Sequence, residues 1–331
     1  MAINLSLAGA GVLQAVIYLL FVRAVDLYER ESFKYVIPVF VWGFSVAVVF
    51  SLFFNTLSSF TLSEVASLQP SVVSFVTAVF VAPPVEEFWK GLAVLIVFLI
   101  SFAVHYRRGV IEFAGVMDGI VYGSAVGFGF AIVEDLLYYA QAGPETFVVR
   151  RLFGGFAHAA FTSLTGIGIG LIPWVRSRIL KVLLPVAGLA GAIALHAAFN
   201  FTASLFGALA YVILFFVLLM YVAIIVSWLA VERRVIRSEL RDEVGGAINA
   251  YEYEIIPTYF RRTLYYLRLF FTLHLIRWRR ARRVHAAAID LAFTKRLSRI
   301  SYAAPQEFRL QYLRRRIGEH RGSPTSVYEP W

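Results

Sequence analysis

The chain has no cysteine in its 331 residues, which excludes thiol nucleophiles, disulfides and thiolate metal sites. Any metal must therefore be held by His, Asp or Glu. Charge is scarce as well: only 16% of residues are Asp, Glu, Lys or Arg, against 60% hydrophobic and 16% aromatic, far from the balance of soluble domains. The scarcity is uneven. Residues 231–331 hold 20 Lys or Arg against 10 Asp or Glu, so this tail carries the whole formal net charge of +10. The first 230 residues are formally neutral. Together these features predict a multi-pass protein of the cell membrane with a basic tail.

A hydrocarbon core about 30 Å thick needs roughly 20 apolar helical residues to cross it. Seven runs qualify, over residues 4–22, 35–54, 84–104, 115–139, 152–175, 183–206 and 208–230. The expected fold is thus an all-α bundle of about seven transmembrane helices over residues 1–230, followed by a separate tail region over 231–331. Residues 71–82 are too short to span and run into Pro83 and Pro84, which predicts a separate interfacial or re-entrant helix at the outer face. Arg23, Arg30, Lys34, Arg107, Arg108, Arg176, Arg178 and Lys181 all fall on one side of the expected spans, whereas the other side holds only Arg150 and Arg151. The positive-inside rule then puts the N-terminus outside and the C-terminus in the cytoplasm. Basic residues follow the first apolar run and do not precede it, so no cleaved signal peptide is expected.

Within the tail, "RRTLYYLRLFFTLHLIRWRRARRVHAAAIDLAFTKRLSRI", residues 261–300, mixes leucines and aromatics with arginines. Two readings stay open: a basic amphipathic helix lying on anionic lipid headgroups, or a small helical domain packed on the loops. Nucleic acid suits the stretch poorly, because it is so apolar and is tethered to a membrane. The final "EHRGSPTSVYEPW" is expected to be disordered.

Ionisable groups inside spans are costly and usually face a cavity or a partner. Six positions stand out: Glu86, Glu87, Glu134, His158, His196 and Asn200. Counting about 1.5 Å per residue, Glu134 and His158 lie about 10 Å from the outer loop between their helices, and Glu86 and Glu87 begin a helix that enters from that side. His196 and Asn200 lie roughly 16 and 10 Å before the next outer turn. Four helices thus bring polar groups to one leaflet. His196 and Asn200 share a helix face, as do Glu86 and Lys90, while Gly119, Gly123 and Gly127 form a small-residue ridge on nearly the same face as Glu134. Asp135 points about 100° away from Glu134. His105, His274, His285 and His320 fall in loops or the tail with no partner evident from the sequence.

Carboxylates and imidazoles around a wet pocket suit peptide hydrolysis. A carboxylate or a metal activates water, an imidazole or amide stabilises the oxyanion, and a second carboxylate protonates the leaving amine. Ser163 and Ser204 lack the setting of an activated nucleophile. For a metal, His158 and His196 with one glutamate, Glu134 foremost, form a plausible Zn2+ ligand set, although no H-E-x-x-H helix is present. Asn200, a poor zinc ligand and a good oxyanion donor, argues the other way, for a metal-free route, but two imidazoles at matching depth with nearby carboxylates favour the metal.

Four motifs carry a resemblance. "EEFWK" at 86–90, "FAIVE" at 130–134, "HAAFTSLTG" at 158–166 and "HAAFN" at 196–200 resemble, in order and spacing, the motifs of the PrsW family of intramembrane proteases, related to the CAAX prenyl protease superfamily. "DLYERES" at 26–32 is similar to the acidic aromatic loop after that family's first helix. The likeness covers roughly residues 14–205. It implies that Glu86 and Glu87 activate water, that Glu134 and His158 complete the site, and that His196 with Asn200 binds metal or stabilises the oxyanion. It further implies membrane-anchored protein substrates cut near the extracytoplasmic face, as in regulated intramembrane proteolysis. Asp135 departs from the Asn that members often carry there. Lys90 is expected to hold one of the two adjacent carboxylates ionised. A non-catalytic membrane scaffold, or an ion or proton transporter using the same polar residues, are the rival readings.

Overall fold

The computed structural model describes residues 5–29, 31–108, 113, 115–142, 144–300 and 307–321. Among them the chain is helical, with no β-strand. It divides into two compact units: residues 1–26, 31–172 and 177–225 form the first, and residues 27–30, 173–176 and 226–331 the second.

Five stretches are long and apolar enough to cross a membrane: Phe33–Val65, Pro70–Val104, Val116–Tyr139, Gly154–Trp174 and Arg178–Glu243. The first contains helices α2 (Phe33–Trp42) and α3 (Val48–Phe60) joined by a π-turn, and a shorter apolar helix lies within α1 (Leu5–Val25) before it. The fifth contains two helices, α8 (Arg178–Phe206) and α9 (Ala210–Glu239), separated at Gly207. Gly207 has φ +53°, a left-handed conformation that glycine adopts without steric penalty.

The sequence expectation of a separate short helix over residues 71–82 is corrected. Helix α4 (Pro70–Val76), a π-turn over Thr77–Val81 and helix α5 (Ala82–Arg108) form one uninterrupted helical run. Pro83 and Pro84 lack an N–H, yet they sit at the start of α5, where a helix tolerates that loss. The π-turn redirects the preceding bonds: the Ala82 N–H reaches Thr77 O. With Ala82 so engaged and Pro83 unable to donate, Ala78 O takes its bond from the Asn200 side chain, Nδ2 to O 2.8 Å. A side chain from α8 therefore completes the ladder that the prolines interrupt.

Helix α6 (Val116–Ala142) is the axis of the first unit, its apolar window 94% buried, with α7 (Pro144–Gly170) closely alongside. Glycine permits that approach. A Cβ on Gly119 would lie 2.0 Å from Gly166 O, and one on Gly127 2.6 Å from the His158 carbonyl. Around this pair a core of Tyr18, Val22, Val39, Phe40, Val94, Val126 and Phe128 closes, while Leu13, Phe53, Phe102, Val182 and Phe216 stay exposed. An apolar exterior around a packed core is the arrangement a lipid solvent favours.

The second unit has its own core: Val235, Ile236 and Leu240 of α9 pack with Val284, Ala288, Leu291 and Ala292 of α12 (Leu275–Ile300) and with Leu313 and Ile317 of α13 (Glu307–Arg321). Tyr28 and Trp174 pack against it. The short helix α10 (Ala250–Ile255) begins at a reciprocal cap in which Asn249 Oδ1 accepts from Glu252 N and the Glu252 carboxylate accepts from Asn249 N. Of the two readings of the tail, α12 follows the second, because its alanine-rich face is buried in this core. Helix α11 (Tyr259–Phe271) is amphipathic and leaves large apolar side chains exposed, including Phe260, Leu264, Leu267 and Phe271.

His285, expected to lack a partner, is buried and accepts or donates a 2.8 Å bond with Tyr266 OH. His274 and His320 bond Thr272 and Arg316; the side chain of His105 lies outside the described residues. Of the tail expected to be disordered, Glu319, His320 and Arg321 end α13, and residues 322–331 lie outside the described residues.

Candidate active site

Helix α5 presents Glu86, Glu87 and Lys90 toward the interior of the first unit, and all three are buried. An ammonium in an apolar bundle needs carboxylates within reach. Lys90 Nζ lies 2.6 Å from Glu87 Oε1 and 3.6 Å from Glu86 Oε2, and 4.3 Å above the Phe130 ring. The same Nζ is 3.2 Å from His158 Nδ1. Glu87 is the hub of the cluster: Oε1 also meets His196 Nδ1 at 2.9 Å, and Oε2 accepts from Thr162 Oγ1 at 2.8 Å.

The proton positions follow from which groups can only donate or only accept. The Glu87 carboxylate only accepts, so His196 carries its hydrogen on Nδ1. In the neutral ring, His196 Nε2 is then a bare lone pair, and it lies 3.9 Å from Glu86 Oε2. The Lys90 ammonium only donates, so His158 accepts at Nδ1 and its Nε2–H donates to Glu134 Oε2 at 2.6 Å. The two imidazoles are edge to face, 5.4 Å between centroids, and Phe161 stacks on His196.

Glu86 Oε2 is the exception in this network, being buried with no hydrogen-bond partner. It faces the His196 Nε2 lone pair, so two acceptors confront each other. Such a pair is stable only with a cation or a proton between them. Glu86, His158 and His196 offer ligand atoms within 4.8 Å of one another. Formally, Glu86, Glu87 and Glu134 against Lys90 leave two negative charges when both imidazoles are neutral, which matches a divalent cation. This donor set fits a metal. It differs from the sequence expectation in using Glu86, because Glu134 Oε2 is engaged with His158 Nε2.

Five of the six expected residues, with Lys90, are therefore linked in one cluster from four helices. Asn200 is not bonded into it; its amide donates to Ala78 O, at the turn that leads into α5. Asp135 is buried and accepts from Gln14 Nε2 at 3.2 Å. Ser163 Oγ meets Ser124 Oγ and Ile120 O, away from any base. Sequence reasoning gave no role to Thr162 or Phe130, although both lie inside the quoted motifs. Thr162 lies four residues after His158 and thus on its face, the one signal that pointed to it. Near the α1–α2 connection a second group, Asp26, Glu31 and Asp118, is buried together; burial and then Asp118 push the Glu31 carboxyl well above its ordinary range, and Tyr122 donates to it.

Comparison with known proteins identifies a family and named relatives. The family model described as PrsW family intramembrane metalloprotease matches residues 31–227. "Protease PrsW" of Geobacillus kaustophilus (strain HTA426) is 32% identical over 165 residues, covering 50% of this chain and 66% of that one. "Protease PrsW" of Oceanobacillus iheyensis is 33% identical over 96 residues, 29% of this chain and 40% of that one. The protein of the same name from Bacillus subtilis (strain 168) is 27% identical over 165 residues, 50% and 68%. The match to the first two thus spans less than two thirds of their length. No solved structure matches. With the family model spanning more than half of its length, this multi-pass membrane chain belongs to the PrsW family.

Proposed function

We propose that the first unit is an intramembrane endopeptidase acting on membrane-anchored proteins. The observation that carries this is Glu86 Oε2, buried without a hydrogen bond beside two imidazoles and 3.6 Å from Lys90 Nζ, within helices apolar enough to cross a bilayer. A carboxylate oxygen so placed is a general base. It takes one proton from water as the water oxygen bonds to the scissile carbonyl carbon; the proton then passes to the leaving nitrogen as the C–N bond breaks. Glu87 and Lys90 hold His196 and His158 in fixed tautomers, Thr162 fixes Glu87, and Glu134 orients His158. Asn200 acts through Ala78, setting how α5 enters the site.

In a metal-bound form Glu86, His158 and His196 would instead hold a divalent cation such as Zn2+, with Glu86 a ligand and no longer the base, and with His158 exchanging one of its two present hydrogen bonds for it. When bound, the metal supplies Lewis acidity and lowers the pKa of water. The metal-free alternative needs His196 protonated, so that Nε2–H becomes an oxyanion donor. Elemental analysis of active protein, with activity followed through chelation and zinc re-addition, separates the two: full activity with no stoichiometric metal rejects the metal reading.

The finer topology belongs to the same reading. Residues 1–230 form the protease domain, α1, α8 and α9 each cross separately to give seven spans, and the N-terminus lies outside, so cleavage falls near the extracytoplasmic face. Residues 231–331 form a cytoplasmic domain that meets anionic headgroups through α11. Single cysteines at Val85, Val133, Ala157 and Leu195 test this: those near the site should react with water-soluble thiol reagents added from outside, and labelling from the cytoplasmic side alone rejects the orientation.

A further inference from the structure

Four arginines gather on the second unit around a cavity of about 300 Å3. Arg279, Arg282 and Arg283 occupy one face of α12 at i, i+3 and i+4, and Arg316 joins them from α13. Like charges at this spacing repel. Yet among the described residues Asp290 alone brings a carboxylate to the wall. Among the described residues the ion pairs of this unit lie elsewhere, among them Lys295 with Asp242 and Glu243, Arg299 with Glu239, Arg314 with Glu243 and Glu307, and Arg315 with Glu319.

The wall is organised as well as charged. The Arg282 guanidinium lies 4.7 Å from the centroid of the Trp278 ring, which holds its plane in place. Arg316 Nε donates to His320 Nε2 at 3.3 Å, so that imidazole is neutral. Burial, then the charges of Arg316 and Arg283, pull the His320 pKa down. Planar guanidinium forks match the oxygens of a phosphate two at a time, and several of them around one cleft suit more than one negative charge.

We propose that this cleft is a binding site for a phosphate-bearing anion, either a phospholipid headgroup or a small soluble phosphate. The adjoining turn bears on the source. Leu273 has φ +58°, a conformation bulky residues rarely adopt, and Phe271, Leu273 and Ile276 beside it are 75%, 80% and 70% exposed. Apolar side chains displayed within a few residues of phosphate-binding arginines suit a lipid, whose headgroup and acyl chains are adjacent.

The test uses the full chain in nanodiscs of neutral phosphatidylcholine, titrated with pyrophosphate by calorimetry. Wild type should bind saturably at one site per chain. Arg282→Lys, which keeps the charge and loses the fork, and Arg316→Gln should each bind at least tenfold more weakly, while Arg315→Gln, outside the cavity, should match wild type. Unchanged thermal unfolding of the variants shows that they fold. A second arm adds phosphatidylglycerol to the discs: weakened pyrophosphate binding identifies the headgroup as the occupant, and unchanged binding identifies a soluble phosphate. No saturable binding, or equal binding by Arg282→Lys, Arg316→Gln and wild type, overturns the site.

Discussion

The two units use the same charged residue types in opposite ways. In the first, Lys90 is buried among Glu86, Glu87 and His158, and one carboxylate oxygen, Glu86 Oε2, is left without a hydrogen bond. In the second, Lys295 is likewise buried, but Asp242, Glu243 and Arg314 close a network around it. The Glu243 carboxylate accepts from both Lys295 Nζ and the Arg314 guanidinium, so neither of its oxygens is left without a partner. A satisfied network stabilises, whereas an incompletely satisfied one keeps a group available for a ligand or a proton. The contrast holds for the clusters around the two buried lysines, Lys90 and Lys295.

Four changes sharpen the comparison, in order of expected effect. Lys90→Met should destabilise the first unit by about 3–5 kcal/mol, because Glu87 is left charged and buried without its ammonium. Adding Glu87→Met to that variant should recover much of the loss, as read by unfolding in mixed micelles; no recovery would mean that shape, not charge, governs the site. Gly127→Val should cost about 1–3 kcal/mol or more, since its side chain would collide with the His158 backbone, and it should reduce the folded fraction in the membrane.

In the second unit, burial and then the charge of Arg262 pull the His285 pKa down to about 3. The unfolded chain protonates this histidine near 6.5, so unfolding takes up a proton between those values and stability is lost as pH falls below 6.5. By pH 5 the loss is about 2 kcal/mol. Thermal unfolding of the tail unit at pH 8 and pH 5 should show that slope in wild type and a smaller one in His285→Phe. The smallest effect is expected of Arg315→Ala, whose exposed pair with Glu319 should contribute under about 0.5 kcal/mol.

Much of the site was legible because intramembrane charges are rare enough to be counted. Glu86, Glu87, Lys90, Glu134, His158 and His196 are prominent in apolar runs, and they do converge. Thr162 was hidden because a small hydroxyl residue in a helix is commonplace, and Phe130 because aromatics are everywhere in this chain. Pro83 and Pro84 misled: the local rule that proline breaks a helix yields to a π-turn and to a hydrogen bond to Ala78 O from Asn200, 122 residues further along the chain and invisible to any local pattern. The tail left two readings open for a related reason. The arginines of α12 mark its outer face plainly, but the buried face is built from Ala281, Ala287, Ala288 and Ala292, and alanine gives little hydrophobic signal.

The central claim, that the Glu86, His158 and His196 cluster hydrolyses peptide bonds, is tested most directly by cleavage of single-span membrane substrates in vesicles containing the purified chain. The account predicts cleavage by wild type, and at least a hundredfold loss in Glu86→Gln, His158→Ala and His196→Ala at matched abundance and insertion. Wild-type rates in all three variants would contradict it.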